Sequence, residues 1–148
     1  GNMSSEGERD ELLIPFKNVV NSLIISSNDG RVVKNKDKFN SKYFELFANS
    51  KYGLCPHQVN WKGDLDELWT YRFIESCFVE SIPILFRKTP LSGSFVNDFY
   101  FLWDDEVLAL LKKSNNLELK NKAKKNCYMA KQKFCFTDNE LEQIKKTI

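Results

Sequence analysis

Apolar residues are arranged along the chain in two different ways. In the first, Leu12, Leu13, Phe16, Val19, Val20 and Leu23 recur at spacings of three and four, which predicts an amphipathic helix over residues 8–22. Pro15 lies inside it and either kinks the helix or marks its first turn. Ile24-Ile25 then leads into Asn28-Asp29-Gly30, a short strand running into turn chemistry. Residues 31–40 are polar and basic and read as a loop. Asn40 or Ser41 caps a second helix with Tyr43, Phe44, Phe47 and Ala48 on one face.

The second arrangement is the short continuous run. Tyr52-Gly53-Leu54-Cys55 ends at Pro56, and Ile82-Pro83-Ile84-Leu85-Phe86 and Phe99-Tyr100-Phe101-Leu102-Trp103 follow. A strand that is apolar throughout is buried on both faces, which is the mark of a parallel sheet. Between the first two runs, Asp64 and Glu67 form a capping-box pattern that opens a helix reaching about Ser81. After the third, Asp104 or Asp105 caps a helix containing Val107, Leu108, Leu110 and Leu111. Residues 112–133 are lysine-rich with one acid, Glu118, and Thr137-Asp138-Asn139-Glu140 opens a last helix over 141–148.

Helices between buried strands imply right-handed parallel crossovers. The expected class is therefore α/β: a single Rossmann-like three-layer lobe with a small parallel sheet and C-terminal helices. The expected divisions are residues 1–7 as a disordered or vector-derived lead (Gly1-Asn2 stands before Met3), 8–111 as the lobe, and 112–148 as lysine-rich helices packed on it.

Composition narrows the classes. A chain of 148 residues fits one domain, and 42% hydrophobic with 28% charged residues is globular. No apolar run approaches the ~18 residues a membrane span needs. The N-terminus has no basic stretch followed by an apolar one, so it does not read as a signal peptide. Cys55, Cys77, Cys127 and Cys135 form no Cys-x-x-Cys pair, and His57 is the one imidazole, so no metal site is expected. Cys55 and Cys77 read as small buried hydrophobes in a reduced, cytoplasmic protein. The net charge of +2 points to no particular partner.

In a parallel sheet, ligands bind outside the carboxyl ends of the strands. Two polar loops leave those ends. His57 to Gly63, with Asn60, leads to the Asp64 helix start, and the second begins Arg87-Lys88. A helix N-terminus beside cations suits a phosphate. Arg72 and Glu75, three apart on a helix, are either a solvent stripe or a functional couple facing a crevice, and the stripe is the commoner outcome.

Several motifs in order resemble a known family. Ser50-Lys51-Tyr52-Gly53-Leu54-Cys55-Pro56, then Thr70-Tyr71-Arg72-Phe73-Ile74-Glu75-Ser76, then Ser81-Ile82-Pro83-Ile84-Leu85 resemble the exostosin-like glycosyltransferases over roughly residues 41–107. The fucosyltransferases share a similar helix-then-proline pattern. The resemblance implies the nucleotide-sugar-binding C-terminal lobe of a two-lobed GT-B fold. It implies that Arg72 lies near the donor diphosphate and that Glu75 accepts hydrogen bonds from the ribose hydroxyls. His57, Asn60 and Gly63 would line the nucleotide pocket, and Asp64 and Lys88 would assist at the phosphates.

The implied reaction moves a sugar from a nucleoside diphosphate donor to the hydroxyl of a glycan or other acceptor. It needs no cofactor, and an N-terminal lobe or partner chain is required to complete it. No catalytic base is assigned. The sequence departs from the family at Trp69 and at Glu80, where the family has glycine; a carboxylate there would crowd or repel a diphosphate. Two alternatives stand beside this reading. One is a non-catalytic nucleotide- or sugar-binding module. The other is a polyanion-binding domain using the basic tail, although nucleic acid is not expected because Tyr128 is isolated among the lysines.

Overall fold

A computed structural model describes residues 6–19, 21–22, 41–56, 71–87, 95–111 and 117–147. The expected strand at Ile24-Ile25, the loop of residues 31–40 and the Asp64 helix start lie outside the described residues.

The described chain is α/β. Helices α1 (Glu6–Lys17) and α2 (Ser41–Ala48) precede strand β1 (Tyr52–Leu54), helix α3 (Tyr71–Phe78) and strand β2 (Ile82–Leu85). A 3-10 turn (Phe95–Asp98), strand β3 (Leu102–Trp103) and helices α4 (Asp104–Leu110), α5 (Leu117–Phe134) and α6 (Asp138–Thr147) follow. The strands form one parallel sheet in the order β1-β2-β3, with Tyr52 opposite Ile82 and Ile84 opposite Leu102. No helix among the described residues is long and apolar enough to cross a membrane.

Side-chain alternation along β2 divides the core in two. Leu85 joins Cys55, Phe73, Ile74, Cys77, Val96, Phe99 and Ala130 on the α3 side. Ile82, Ile84 and Phe86 join Phe16, Leu102, Val107 and Ala123 on the α1 and α4 side. These are the three layers expected of a small doubly covered sheet. α5 belongs to both sides, giving Ala130 to one cluster and Ala123 to the other. α6 buries no residue.

Proline inside a central strand is unusual because it removes a ladder donor. Here the ladder does not need it. The Ile82 amide donates to Lys51 O at 2.9 Å and Ile84 O accepts from the Cys55 amide at 3.0 Å, so both flanking residues turn toward β1. Pro83 therefore turns its nitrogen toward β3, whose pairing begins only opposite Ile84.

Several expected boundaries move. The first helix ends at Lys17, not Ser22; Pro15 falls within its last turn, and the Ser22 hydroxyl donates to Phe16 O at 2.7 Å. The third strand is two residues, not five. Pro83 has no N–H to offer Tyr100, and Asn126 of α5 takes the place of a ladder there: its Oδ1 accepts from the Tyr100 amide at 2.9 Å and its Nδ2 donates to Tyr100 O at 2.6 Å. One side-chain amide thus occupies the backbone groups that a neighbouring strand would pair. Neither Asp104 nor Asp105 caps α4. Trp103 is the flanking residue, and Glu106 Oε2 accepts its amide at 2.8 Å. Thr137 and Glu140 do form the expected box, in which the Glu140 amide donates to Thr137 Oγ1 at 3.2 Å and the Thr137 amide to Glu140 Oε2 at 2.7 Å.

Candidate functional site

The carboxyl edge of the sheet is where β1 leaves through Cys55-Pro56 and β2 through Phe86-Arg87. A parallel connection brings α3 back antiparallel to β1, so the first turn of α3 lies at that edge. Its approach depends on Gly53. A Cβ there would run into Ser76 Oγ and would sit 2.7 and 2.9 Å from two ring atoms of Phe47. Glycine therefore lets α2 and α3 close together over β1.

With that gap closed, Tyr43 of α2 reaches Arg72 and Glu75 of α3. The Tyr43 hydroxyl donates to Glu75 Oε2 at 3.1 Å. Burial raises the Tyr43 pKa, and the positive charge of the adjoining Arg72 opposes that rise. Glu75 is accordingly tied to this phenol and Arg72 lies beside it, so the two are not an independent solvent stripe. Arg72 itself is exposed, while Glu75 and Tyr43 are half-buried.

The floor beneath them is neutral. Burial pushes the Cys55 thiol up to about 12, and it donates to Gly53 O at 3.3 Å with Ser76 Oγ 3.7 Å away. The buried Ser76 hydroxyl donates to Arg72 O at 2.7 Å, which fixes the backbone that carries Arg72. Burial also raises the Cys77 thiol. Both cysteines are protonated at neutral pH and are packing residues. Site charge on α3 rests with Arg72 and Glu75, an arrangement able to hold an anion and to accept from hydroxyls side by side.

The β2 and β3 ends differ from this. The Arg87 amide donates to Asp104 Oδ1 at 3.1 Å, its Nε to Asp105 Oδ1 at 3.0 Å, and its guanidinium lies 4.8 Å from the centre of the Trp103 ring. Glu106 Oε1 is 3.7 Å from its Nη2. The Arg87 hydrogen bond holds the Asp105 carboxyl below its ordinary pKa. This cation of the second loop is therefore neutralised by the acidic first turn of α4, where carboxylates also favour the helix dipole.

Of the residues singled out from sequence, the structure brings Arg72 and Glu75 together. His57, Asn60, Gly63, Asp64, Lys88 and Trp69 lie outside the described residues. Glu80 stands corrected. It lies at the amino end of β2, the opposite edge of the sheet from Arg72, and cannot crowd a ligand there. Its φ of 56° marks the left-handed residue that ends α3. The Glu80 amide bonds Cys77 O at 3.2 Å and the Ser81 amide bonds Ser76 O at 2.9 Å, a Schellman motif that glycine fits best.

Sequence reasoning missed Tyr43 as part of the site. Its helical spacing gave it only a place on an apolar face, and its partner is 32 residues away. Among the described residues, no group of three or more His, Cys, Asp or Glu side chains is placed to hold a metal ion. Compared with known protein families, curated proteins and solved structures, the chain has no match.

Proposed function

We propose that this chain is the nucleotide-sugar-binding lobe of a glycosyltransferase, transferring a sugar from a nucleoside diphosphate donor to an acceptor hydroxyl. The observation that carries the reading is the meeting of Arg72 with the Tyr43–Glu75 pair at the carboxyl edge of a parallel sheet. That edge is where such sheets take nucleotides. Arg72 supplies a cation for the diphosphate and stabilises the charge that develops as it departs. Glu75 supplies acceptors for a ribose diol, one oxygen already oriented by the Tyr43 hydroxyl. Deprotonation of the acceptor requires a base that none of these three residues provides, so a second lobe or partner completes catalysis. This reading places the protein inside the cell.

Calorimetric titration with UDP, GDP and their sugars tests it. A millimolar or tighter dissociation constant for one nucleotide is expected, and Arg72→Ala should weaken it by about 1.5–3 kcal/mol. Absence of binding by every nucleotide at millimolar concentration, with the fold intact, overturns the reading.

A further inference from the structure

α5 holds six lysines and one glutamate, a net +5 in a chain whose total is +2, so everything else sums to −3. This charge is sorted around the helix. Ala123, Asn126, Cys127 and Ala130 turn into the lobe. Lys122 and Lys133 flank that face and are engaged. Lys122 pairs with Glu118 at 3.0 Å and lies 4.2 Å from the centre of the Tyr100 ring. Lys133 pairs with Asp98 at 2.7 Å and lies 5.6 Å from the centre of the Phe99 ring. The other four lysines, 120, 124, 125 and 131, are exposed, and no acid of the described residues pairs with them.

Tyr128 stands among these four. Lys124, Lys125 and Lys131 precede or follow it by three or four residues, which puts them around it on the helix surface. The residue is 63% exposed. Its hydroxyl accepts a hydrogen bond from Gln132 Nε2 at 2.6 Å, which holds the side chain along the helix. In the linear sequence Tyr128 looked isolated, whereas the folded helix makes it the centre of a basic surface.

We propose that this outward face of α5 binds single-stranded nucleic acid. Lys120, Lys124, Lys125 and Lys131 meet the phosphates, and a base stacks on Tyr128. The four lysines extend over about 16 Å of helix. Charge complementarity calls for a polyanion, and an exposed ring fenced by cations calls for one that carries flat unpaired rings. An anionic bilayer fits less well. The apolar side of α5 is already spent on the lobe; of its exposed large apolar residues, Phe134 lies against the Phe95 ring, which leaves Leu117 and Tyr128 to insert.

Fluorescence anisotropy with a labelled 12-nucleotide oligo-U tests the proposal, with anionic vesicles and a heparin fragment as comparison ligands. Binding should fall with salt with a log–log slope of about −2 to −3, as four phosphate contacts require. Tyr128→Ala should lose about 5- to 150-fold with the slope unchanged, and Tyr128→Phe should retain most of the affinity. Lys124→Glu with Lys131→Glu should flatten the slope; every one of these positions is exposed, so unchanged melting is the control. Equal oligo-U binding by Tyr128→Ala and wild type overturns the base-stacking claim. So does vesicle binding tighter than oligo-U binding, or no oligo-U binding at 50 mM salt.

Discussion

Asn126 offers the sharpest test of how this fold is held. It is 1% exposed and makes two hydrogen bonds to the backbone of Tyr100, at 2.9 and 2.6 Å. Asn126→Ala leaves the Tyr100 amide and carbonyl without partners. Each orphaned group costs about 1–3 kcal/mol where water is excluded. Tyr100 is half-buried, so water recovers part of this, and a loss of about 2–4 kcal/mol is expected. For a domain of this size that is a fall of roughly 4–16 °C in Tm.

Asn126→Asp separates hydrogen bonding from packing, because the shape is kept. Its Oδ1 still accepts from the Tyr100 amide, but the other oxygen meets Tyr100 O and can bond it only when protonated. Burial and that bond both raise the folded-state pKa above the unfolded value of about 3.9. Stability relative to wild type is then fullest below that value and is lost as pH rises through the folded pKa. Urea unfolding followed by tryptophan fluorescence from pH 4 to 8 measures both variants. Asn126→Ala within 0.5 kcal/mol of wild type, the ordinary range of a surface change, refutes the strand-substitute argument. So does Asn126→Asp with a pH-independent difference from wild type.

Other consequences follow from single contacts. Glu80→Gly should stabilise the protein by about 0.5–1 kcal/mol in the same denaturation assay, since it relieves a left-handed non-glycine residue. Gly53→Ala should destabilise by about 1–3 kcal/mol and loosen the Tyr43–Glu75 pair, because its methyl group would collide with Ser76 Oγ; unchanged stability would show that α3 does not sit this close. Of the four thiols, exposed Cys135 should react rapidly with a thiol reagent in the native state, and buried Cys55, Cys77 and Cys127 only on unfolding.

The buried strands were legible because a run such as Ile82 to Phe86 has no polar position to turn toward water, and all five residues are buried. The α6 start was legible because Thr137 and Glu140 act within one turn. Features set by distant partners were not. The truncation of β3 depends on Asn126, 26 residues beyond Tyr100, and the loss of Arg87 as a free cation depends on carboxylates 17 and 18 residues on. Tyr43 is in the site only because Gly53 lets two helices close over one strand. Glu80 was misplaced for another reason: its carboxylate was set beside a diphosphate, whereas its positive φ belongs to the end of α3, at the opposite edge of the sheet.

The central claim, that the Arg72–Glu75–Tyr43 cluster is a nucleotide site, is tested most directly by two-dimensional NMR during titration with UDP and GDP. The account predicts saturable shifts concentrated on the Tyr43, Cys55, Arg72 and Glu75 amides for one of the two nucleotides, abolished by Glu75→Gln together with Arg72→Ala. Saturable shifts that leave these amides unmoved, or no shifts at millimolar nucleotide, would contradict it.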